Sequence, residues 1–266
     1  MPQVMEVARQ RSKSPVTGDA LVTRLCAAID TTTIARSPCT HVCLARPFPD
    51  EFYARMLACM PTREAFHELR HRDALRVDGS STRLRLYLFP ENLWRVRAAQ
   101  RQLWEQLARA LMSPEVQDAF KRKFRESIEA RFALDIADLT FYPVPILLRD
   151  QPGYRIGIHA DTGSKAITVQ FYLPADASQR HLGTIFHAGR IGQDATRTTA
   201  MDFLPNTGYA FPVDPQSSWH SVAATGTDDG ERRSLMLIYY VQEGARAWCK
   251  QRYDRLRCLL GVGPRG

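Results

Sequence analysis

The chain has 266 residues, 44% of them hydrophobic, which is enough to build one substantial core. No apolar run approaches the length that spans a bilayer as a helix, so no membrane-spanning helix is expected. The formal charge of +8 permits nucleic acid, an acidic carrier protein or an anionic small substrate as partner, and selects none of them.

Residues 1–20 read as a flexible arm, because Arg9, Arg11 and Lys13 have no apolar stretch behind them that would make a secretory signal. Residues 21–30 predict a short helix and 40–48 a strand ending before Pro49. Asp50 is placed to cap the next helix, with Phe52, Met56 and Leu57 on one face. Residues 62–80 are polar and irregular, with a helical turn near Ala65 to Leu69. Residues 81–89 alternate, Leu84, Leu86 and Leu88 against Arg83, Arg85 and Tyr87, which predicts a half-exposed strand. After Pro90 a long amphipathic helix is expected, with Leu93, Val96, Leu103, Leu107 and Leu111 toward the core. Ser113 and Pro114 then cap and open a second helix running to about Phe132. The basic residues of these helices, Arg101, Arg109, Lys121 and Arg125 among them, read as solvated faces. No basic stretch interleaved with aromatics is present, so nucleic acid is disfavoured as partner.

From Asp138 the pattern changes to short strands with regular turn signals, the mark of a sandwich or jelly roll. In residues 139–150, Pro143 and Pro145 argue for an edge or a bulge. The His159 strand and residues 165–174 follow, with Thr168, Gln170 and Tyr172 on one face. Then come the strands "GTIFHAG" and "TTAMDFLP", "YAFPVD", the His220 strand and "RRSLMLIYYV". Residues 245–260 predict a terminal helix. Nothing after residue 20 marks a domain boundary, so residues 21–266 are expected to form a single domain with its strand-rich core at about 138–244.

Period two turns His159 and Asp161 to the same side of their strand and Ala160 to the other. An imidazole and a carboxylate on one face make two corners of a facial metal triad, and His220 is the candidate for the third. The other five histidines, His41, His67, His71, His181 and His187, take the ordinary structural or surface reading, although His187 is kept as a substrate candidate. Trp219 points away from His220 on its strand and reads as core. The six cysteines match no zinc pattern and read as reduced thiols of a cytoplasmic protein.

The ordered set His159-x-Asp161, His220 and Arg232-x-Ser234 resembles the iron(II)- and 2-oxoglutarate-dependent oxygenases over roughly residues 140–244. The lead-in "GYRIGIHADTGSKAITVQFYLP" is similar to the prolyl-hydroxylase-like branch of that family. The resemblance implies a mainly β fold with flanking helices, built as a double-stranded β-helix (jelly-roll) core with the N-terminal helices packed on one sheet. It implies iron(II) on His159, Asp161 and His220, with 2-oxoglutarate and dioxygen as cosubstrates. Arg232 is expected to clamp the far carboxylate of 2-oxoglutarate with help from Ser234, which shares its strand face; Arg233 competes but falls on the opposite face. Gln170 and Tyr172 are further expected contacts of the cosubstrate.

The implied reaction is hydroxylation, or a related oxidation, of an unactivated C–H bond of a small molecule such as an amino acid or biosynthetic intermediate, free or carrier-bound, with release of succinate and carbon dioxide. A carboxylate at position 161 argues against halogenation, which in this family goes with a small residue there. Arg149, Tyr142, His187 and Arg85 are candidate substrate contacts. Two alternatives stand beside this reading: an oxygenase of protein or nucleic acid, and a cupin-like jelly roll that binds a metal or ligand without turnover.

Overall fold

The computed structural model describes residues 16–70, 74–189, 198–242 and 247–261. Residues 1–15 of the expected arm and His71 lie outside the described residues, and the arm's last residues already belong to a helix.

Alternation along the longest strands decides the architecture. On the strand Arg232–Gln242, Leu235, Leu237 and Tyr239 face one way, while Arg232, Ser234, Met236, Ile238 and Tyr240 face the other. The first set is buried with leucines and phenylalanines of the helices in one large cluster, so this side of the sheet is the helix side. The second set looks into the space between two sheets. Both faces are covered, which is why the strand reads as a nearly continuous apolar run.

The larger sheet has eight antiparallel strands. In chain order these are β1 (Ile34–Ala35), β2 (His41–Ala45), β3 (His67–Glu68), β4 (Arg83–Tyr87), β5 (Thr140–Asp150), β7 (Lys165–Tyr172), β10 (Thr207–Pro212) and β12 (Arg232–Gln242). They lie in the order β1-β2-β10-β7-β12-β5-β4-β3. The smaller sheet takes β6 (Ile156–His159), β8 (Thr184–His187), β9 (Thr198–Ala200) and β11 (Trp219–Val222) in the order β6-β11-β8-β9. Successive strands cross between sheets, from β5 to β6, back to β7, and across again to β8. That is a jelly-roll core with open edges. Phe186 of the small sheet and Tyr209 and Phe211 of the large one pack edge to face between the sheets, at 5.4 Å.

Helices buttress the far side of the large sheet, among them α1 (Gly18–Asp30), α3 (Ala98–Leu111) and α4 (Pro114–Phe132). Thr17 caps α1 by accepting the Ala20 N–H at 3.2 Å, and Ser113 caps α4 by accepting that of Val116 at 3.3 Å. Trp104, Leu107, Phe120 and Phe124 are fully buried against the sheet, each such side chain contributing about 1.5–3 kcal/mol by burial. No helix among the described residues is long and apolar enough to cross a membrane.

Several expectations need correction. Asp50 is the first residue of α2 (Asp50–Ala58), and Pro49 stands at the cap without a side-chain bond. The long helix after Pro90 is two pieces, a 3-10 segment Pro90–Arg95 and α3, because Val96 and Arg97 are extended. That break lets both Leu93 and Val96 turn inward. The turn near Ala65 to Leu69 is a 3-10 turn at Arg63–Ala65. The stretch "TTAMDFLP" is strand only over Thr198–Ala200; Phe203 beyond it is core.

β5 is an interior strand between β12 and β4, not an edge. Its prolines are tolerated because β4 ends at Tyr87, opposite Ile146. The Pro145 carbonyl accepts the Leu88 N–H on that side, so the missing N–H groups of Pro143 and Pro145 face the side where the neighbouring strand stops. The strand holding Arg83 and Arg85 is covered on both faces rather than half exposed, and α5 (Ala247–Leu259) lies over its end through Cys258.

Candidate metal and oxo-acid site

β6 and β11 are antiparallel neighbours, and His159 stands directly across from His220. Asp161 follows β6 by two residues, where the chain turns toward β7. One ligand atom from each of His159, Asp161 and His220 lies within 4.8 Å of the others, the single such group among the described residues. Each imidazole donates its Nδ1 hydrogen to the carbonyl two residues before it, His159 to Gly157 and His220 to Ser218, both at 3.0 Å. This fixes the tautomer and leaves both Nε2 lone pairs free, the arrangement that metal-binding histidines adopt.

Electrostatics favour ligand forms of two of these groups. Burial disfavours the imidazolium of His220 and moves its pKa down to about 4, against an upward pull from Asp161, so the ring is neutral at physiological pH. Burial alone would raise Asp161. The charge of Lys165, that of His220 at the low pH where its ring is protonated, and the hydrogen bonds from Lys165 and Thr168 outweigh it and hold the carboxyl well below the usual range. Lys165 Nζ is 2.6 Å from one carboxylate oxygen and Thr168 Oγ1 is 2.7 Å from the other. The sequence reading missed both partners, although Thr168 was already placed on the correct face. Two neutral imidazoles and one carboxylate suit a divalent first-row metal, and the residues present fit iron(II).

The second half of the site lies on the large sheet. Arg232 is fully buried and faces the space between the sheets, while Arg233 turns outward to Glu231 at 2.8 Å. Arg232 Nε donates to the Leu182 carbonyl and Nη1 to Asp150, both at 2.8 Å. Its Nη2 is buried with no hydrogen-bond partner among the described residues. The Leu182 carbonyl is held close because Gly183 follows it; a β-carbon there would sit 1.4 Å from the Met201 carbonyl oxygen.

Ser234, two residues on, is also fully buried. A polar chain runs to it from the small sheet. Thr184 Oγ1 donates to Tyr209 Oη, Tyr209 Oη donates to Gln170 Oε1, and Gln170 Nε2 donates to Ser234 Oγ at 2.7 Å. Every hydroxyl hydrogen in the chain is directed onward, so Ser234 accepts from Gln170 and has its own proton left to give. Arg232 Nη2 and the Ser234 hydroxyl are therefore two unspent donors on one strand face, as a carboxylate needs. Burying such donors without an acceptor is costly, and a 2-oxo dicarboxylate fits them. Gln170, expected at the cosubstrate, has its amide committed at both ends and acts through Ser234. Tyr172 Oη accepts the Thr184 N–H, and its ring lies 5.6 Å from the Arg232 guanidinium and 4.5 Å from Phe203, so it packs beside that guanidinium.

The expected substrate contacts fare differently. Arg149 pairs with Arg233 across the ladder and points to the helix side, bound to Glu231 at 2.8 Å and to the Pro61 carbonyl. It is excluded from the space between the sheets by the same alternation that turns Asp150 inward. His187 pairs with Trp219, one residue out of phase with His220, and lies on the outer face of the small sheet, bonded to Ser221 at 2.7 Å. Trp219 itself is half-buried rather than core. Tyr142 faces inward but is packed in a cluster with Tyr87, Phe89, Ile146 and Cys258. Arg85 faces inward and donates to the Gly261 carbonyl at 2.6 Å.

No protein-family description matches this chain, and no curated protein matches its sequence. Solved structures of similar shape include a prolyl-4-hydroxylase from Pseudomonas putida, at 15% identity and TM-score 0.47, covering 83% of this chain and 98% of the other. The dioxygenase for auxin oxidation in rice is 13% identical with TM-score 0.49, covering 93% of this chain and 92% of that one. The non-heme α-ketoglutarate-dependent epimerase SnoN from nogalamycin biosynthesis is 13% identical with TM-score 0.47, covering 84% of each chain. In the order of its ligand residues, in the buried arginine and serine downstream and in its jelly-roll core, this chain resembles the iron(II)- and 2-oxoglutarate-dependent oxygenases.

Proposed function

We propose that the protein is an iron(II)- and 2-oxoglutarate-dependent oxygenase that hydroxylates, or otherwise oxidises, an unactivated C–H bond of a small molecule. The observation that carries this reading is the convergence of His159, Asp161 and His220, with both Nδ1 atoms committed to backbone carbonyls and both Nε2 atoms left to bind. The two unspent donors of Arg232 and Ser234 support it, because a passive metal-binding jelly roll has no use for a second buried anion site. When bound, iron(II) and 2-oxoglutarate supply the oxidising power with dioxygen, and succinate and carbon dioxide leave.

The chain's own work is to hold and to exclude. His159, Asp161 and His220 would hold the metal, a set of two imidazoles and one carboxylate that suits iron(II). Arg232 and Ser234 orient the oxo acid through its far carboxylate, and Tyr172, Phe186, Phe203 and Phe211 keep water from the space around it. Asp161 fills the position that a halide would need, which favours hydroxylation or a related oxidation. Residues 21–266 act as one domain in this reading. The six free cysteines agree with a reducing compartment such as the cytoplasm. The test is iron- and 2-oxoglutarate-dependent succinate formation across a panel of amino acids and other small acids. Failure to bind a divalent metal at the triad sinks the reading.

A further inference from the structure

Arg232 does not stand alone. Its Nη1 partner, Asp150, is fully buried and receives two more bonds from Arg83, Nε to Oδ1 at 2.6 Å and Nη2 to Oδ2 at 2.9 Å. Arg83, Asp150 and Arg232 occupy one row across three neighbouring strands, β4, β5 and β12, all turned into the space between the sheets. The Arg83 guanidinium lies over the Tyr154 ring at 4.0 Å, and its side chain is 13% exposed, so this charge is also largely withdrawn from water. Burial pulls Arg83 toward neutrality, but Asp150 overrides it and the pKa is raised, so the side chain stays charged.

Two guanidinium groups share one carboxylate. This buried trio therefore carries one uncompensated positive charge, and Arg232 Nη2 is its nitrogen without a hydrogen-bond partner among the described residues. Without Asp150 two buried cations would face each other. Without Arg83, Asp150 would neutralise Arg232.

We propose that Asp150 and Arg83 are specificity-determining residues that set the oxo-acid site at Arg232 to a single positive charge, matching it to one carboxylate and against a dianion. This rests on the assignment of Arg232 and Ser234 to the far end of 2-oxoglutarate. Asp150 positions Arg232 by holding Nη1, so that only Nη2 meets the ligand; Arg83 keeps Asp150 from cancelling it. Neither residue needs to touch the oxo acid.

The experiment is calorimetric titration of the Mn(II)-loaded full chain, at mildly alkaline pH, with 2-oxoglutarate and with its analogue bearing a phosphonate in place of the far carboxylate. The phosphonate carries close to two negative charges there. Size differs between the probes but not between proteins, so the ratio of the two affinities is compared across variants. Wild type should prefer the carboxylate. Asp150→Asn should shift the ratio toward the phosphonate by at least about tenfold, because a second unpaired guanidinium charge faces the ligand. Arg83→Gln should weaken 2-oxoglutarate by at least about tenfold by taking the end charge to zero. Mn(II) affinity, read by electron paramagnetic resonance, should change in neither.

An unchanged ratio in folded Asp150→Asn, or undiminished 2-oxoglutarate binding in Arg83→Gln, overturns the proposal. Should Asp150→Asn fail to fold, Arg83→Gln decides it alone. If the wild type binds Mn(II) but neither probe, the oxo-acid assignment itself falls and this inference with it; if the wild type binds 2-oxoglutarate and the variants behave like it, only this inference falls.

Discussion

His159 and His220 face each other across an antiparallel pair with ring centroids 4.2 Å apart, and each ring is braced by the carbonyl two residues before it. The same local device, repeated on two strands, aims two Nε2 atoms at one point. It costs no long-range packing, because each brace comes from a residue two positions earlier in the same segment. The ligand geometry is therefore a property of two short strands and their register.

Removing Asp161 tests the triad. Asp161→Ala removes the single anionic ligand and should abolish metal-dependent turnover while leaving the fold intact, since the main core lies on the other side of the large sheet. Asp161→Glu keeps the charge but moves it by about 1 Å, a displacement that can cost on the order of a hundredfold in rate. It should bind metal and turn over poorly. Succinate formation with circular dichroism as the folding control reads both, and full activity in folded Asp161→Ala would remove the triad assignment.

Arg232 and Arg233 separate binding from surface charge. Arg232→Met should weaken 2-oxoglutarate by about a hundredfold or more, as expected for losing a charged partner of a buried carboxylate. Metal affinity should hold, and so should the fold, because Asp150 keeps Arg83. Arg233→Ala should do little, since that guanidinium is 38% exposed and bonded to Glu231 on the other face. A reversed outcome would mean that the register of β12 against β5 is wrong by one residue.

Much of this site was legible in the sequence. Period two puts His159 with Asp161 and Arg232 with Ser234 on shared faces, and the resemblance to the oxygenases supplies their roles and picks His220 as the third ligand. What was not legible depends on which strands become neighbours. Asp150 meets Arg232 because β5 pairs with β12, and Arg83 meets Asp150 because β4 pairs with β5, across gaps of more than sixty residues. Leu84, Leu86 and Leu88 suggested a strand half in water, because nothing local says that Tyr154 and α5 cover its other face. Arg149 was assigned to the wrong face for the same reason: alternation gives two faces, and only Arg232 opposite Asp150 says which is inside. The prolines of β5 misled because an interior strand can have a local edge where its neighbour ends.

Acid sensitivity of the metal-free protein follows from His220. Its folded pKa of about 4 lies below the ordinary value of 6.5. Between those values the unfolded chain binds more protons, so stability rises with pH through this window, is complete above about 6.5 and is lost as pH falls toward 4. The span corresponds to at most roughly 3 kcal/mol. His67 and His187 are also lowered, chiefly by burial, and act in the same direction. Urea unfolding of chelator-treated protein at several pH values measures the total, and His220→Leu should flatten the curve by the share of His220. An equal slope in that variant would assign the sensitivity elsewhere.

Lys165 gives the last test. Its ammonium sits 2.6 Å from one Asp161 oxygen, on the carboxylate that the metal needs, and its side chain is 17% exposed, so it has a route to solvent. Thr168 holds the other oxygen at 2.7 Å. A divalent metal at the triad would meet a positive charge at short range, and that repulsion works against binding even after screening. The same ammonium keeps Asp161 ionised in a buried position. At neutral pH the second service is redundant, since Thr168 and the metal itself stabilise the carboxylate. Lys165→Met, which keeps the apolar stem and removes the charge, should therefore bind Mn(II) more tightly by at least about tenfold at pH 7.5. The gain should shrink as pH falls and Asp161 begins to protonate in the variant. Thr168→Val, by contrast, frees an oxygen without changing charge and should loosen the orientation of Asp161, lowering Mn(II) affinity. Weaker Mn(II) binding in Lys165→Met at neutral pH would show that Lys165 orients Asp161 for the metal rather than competing with it.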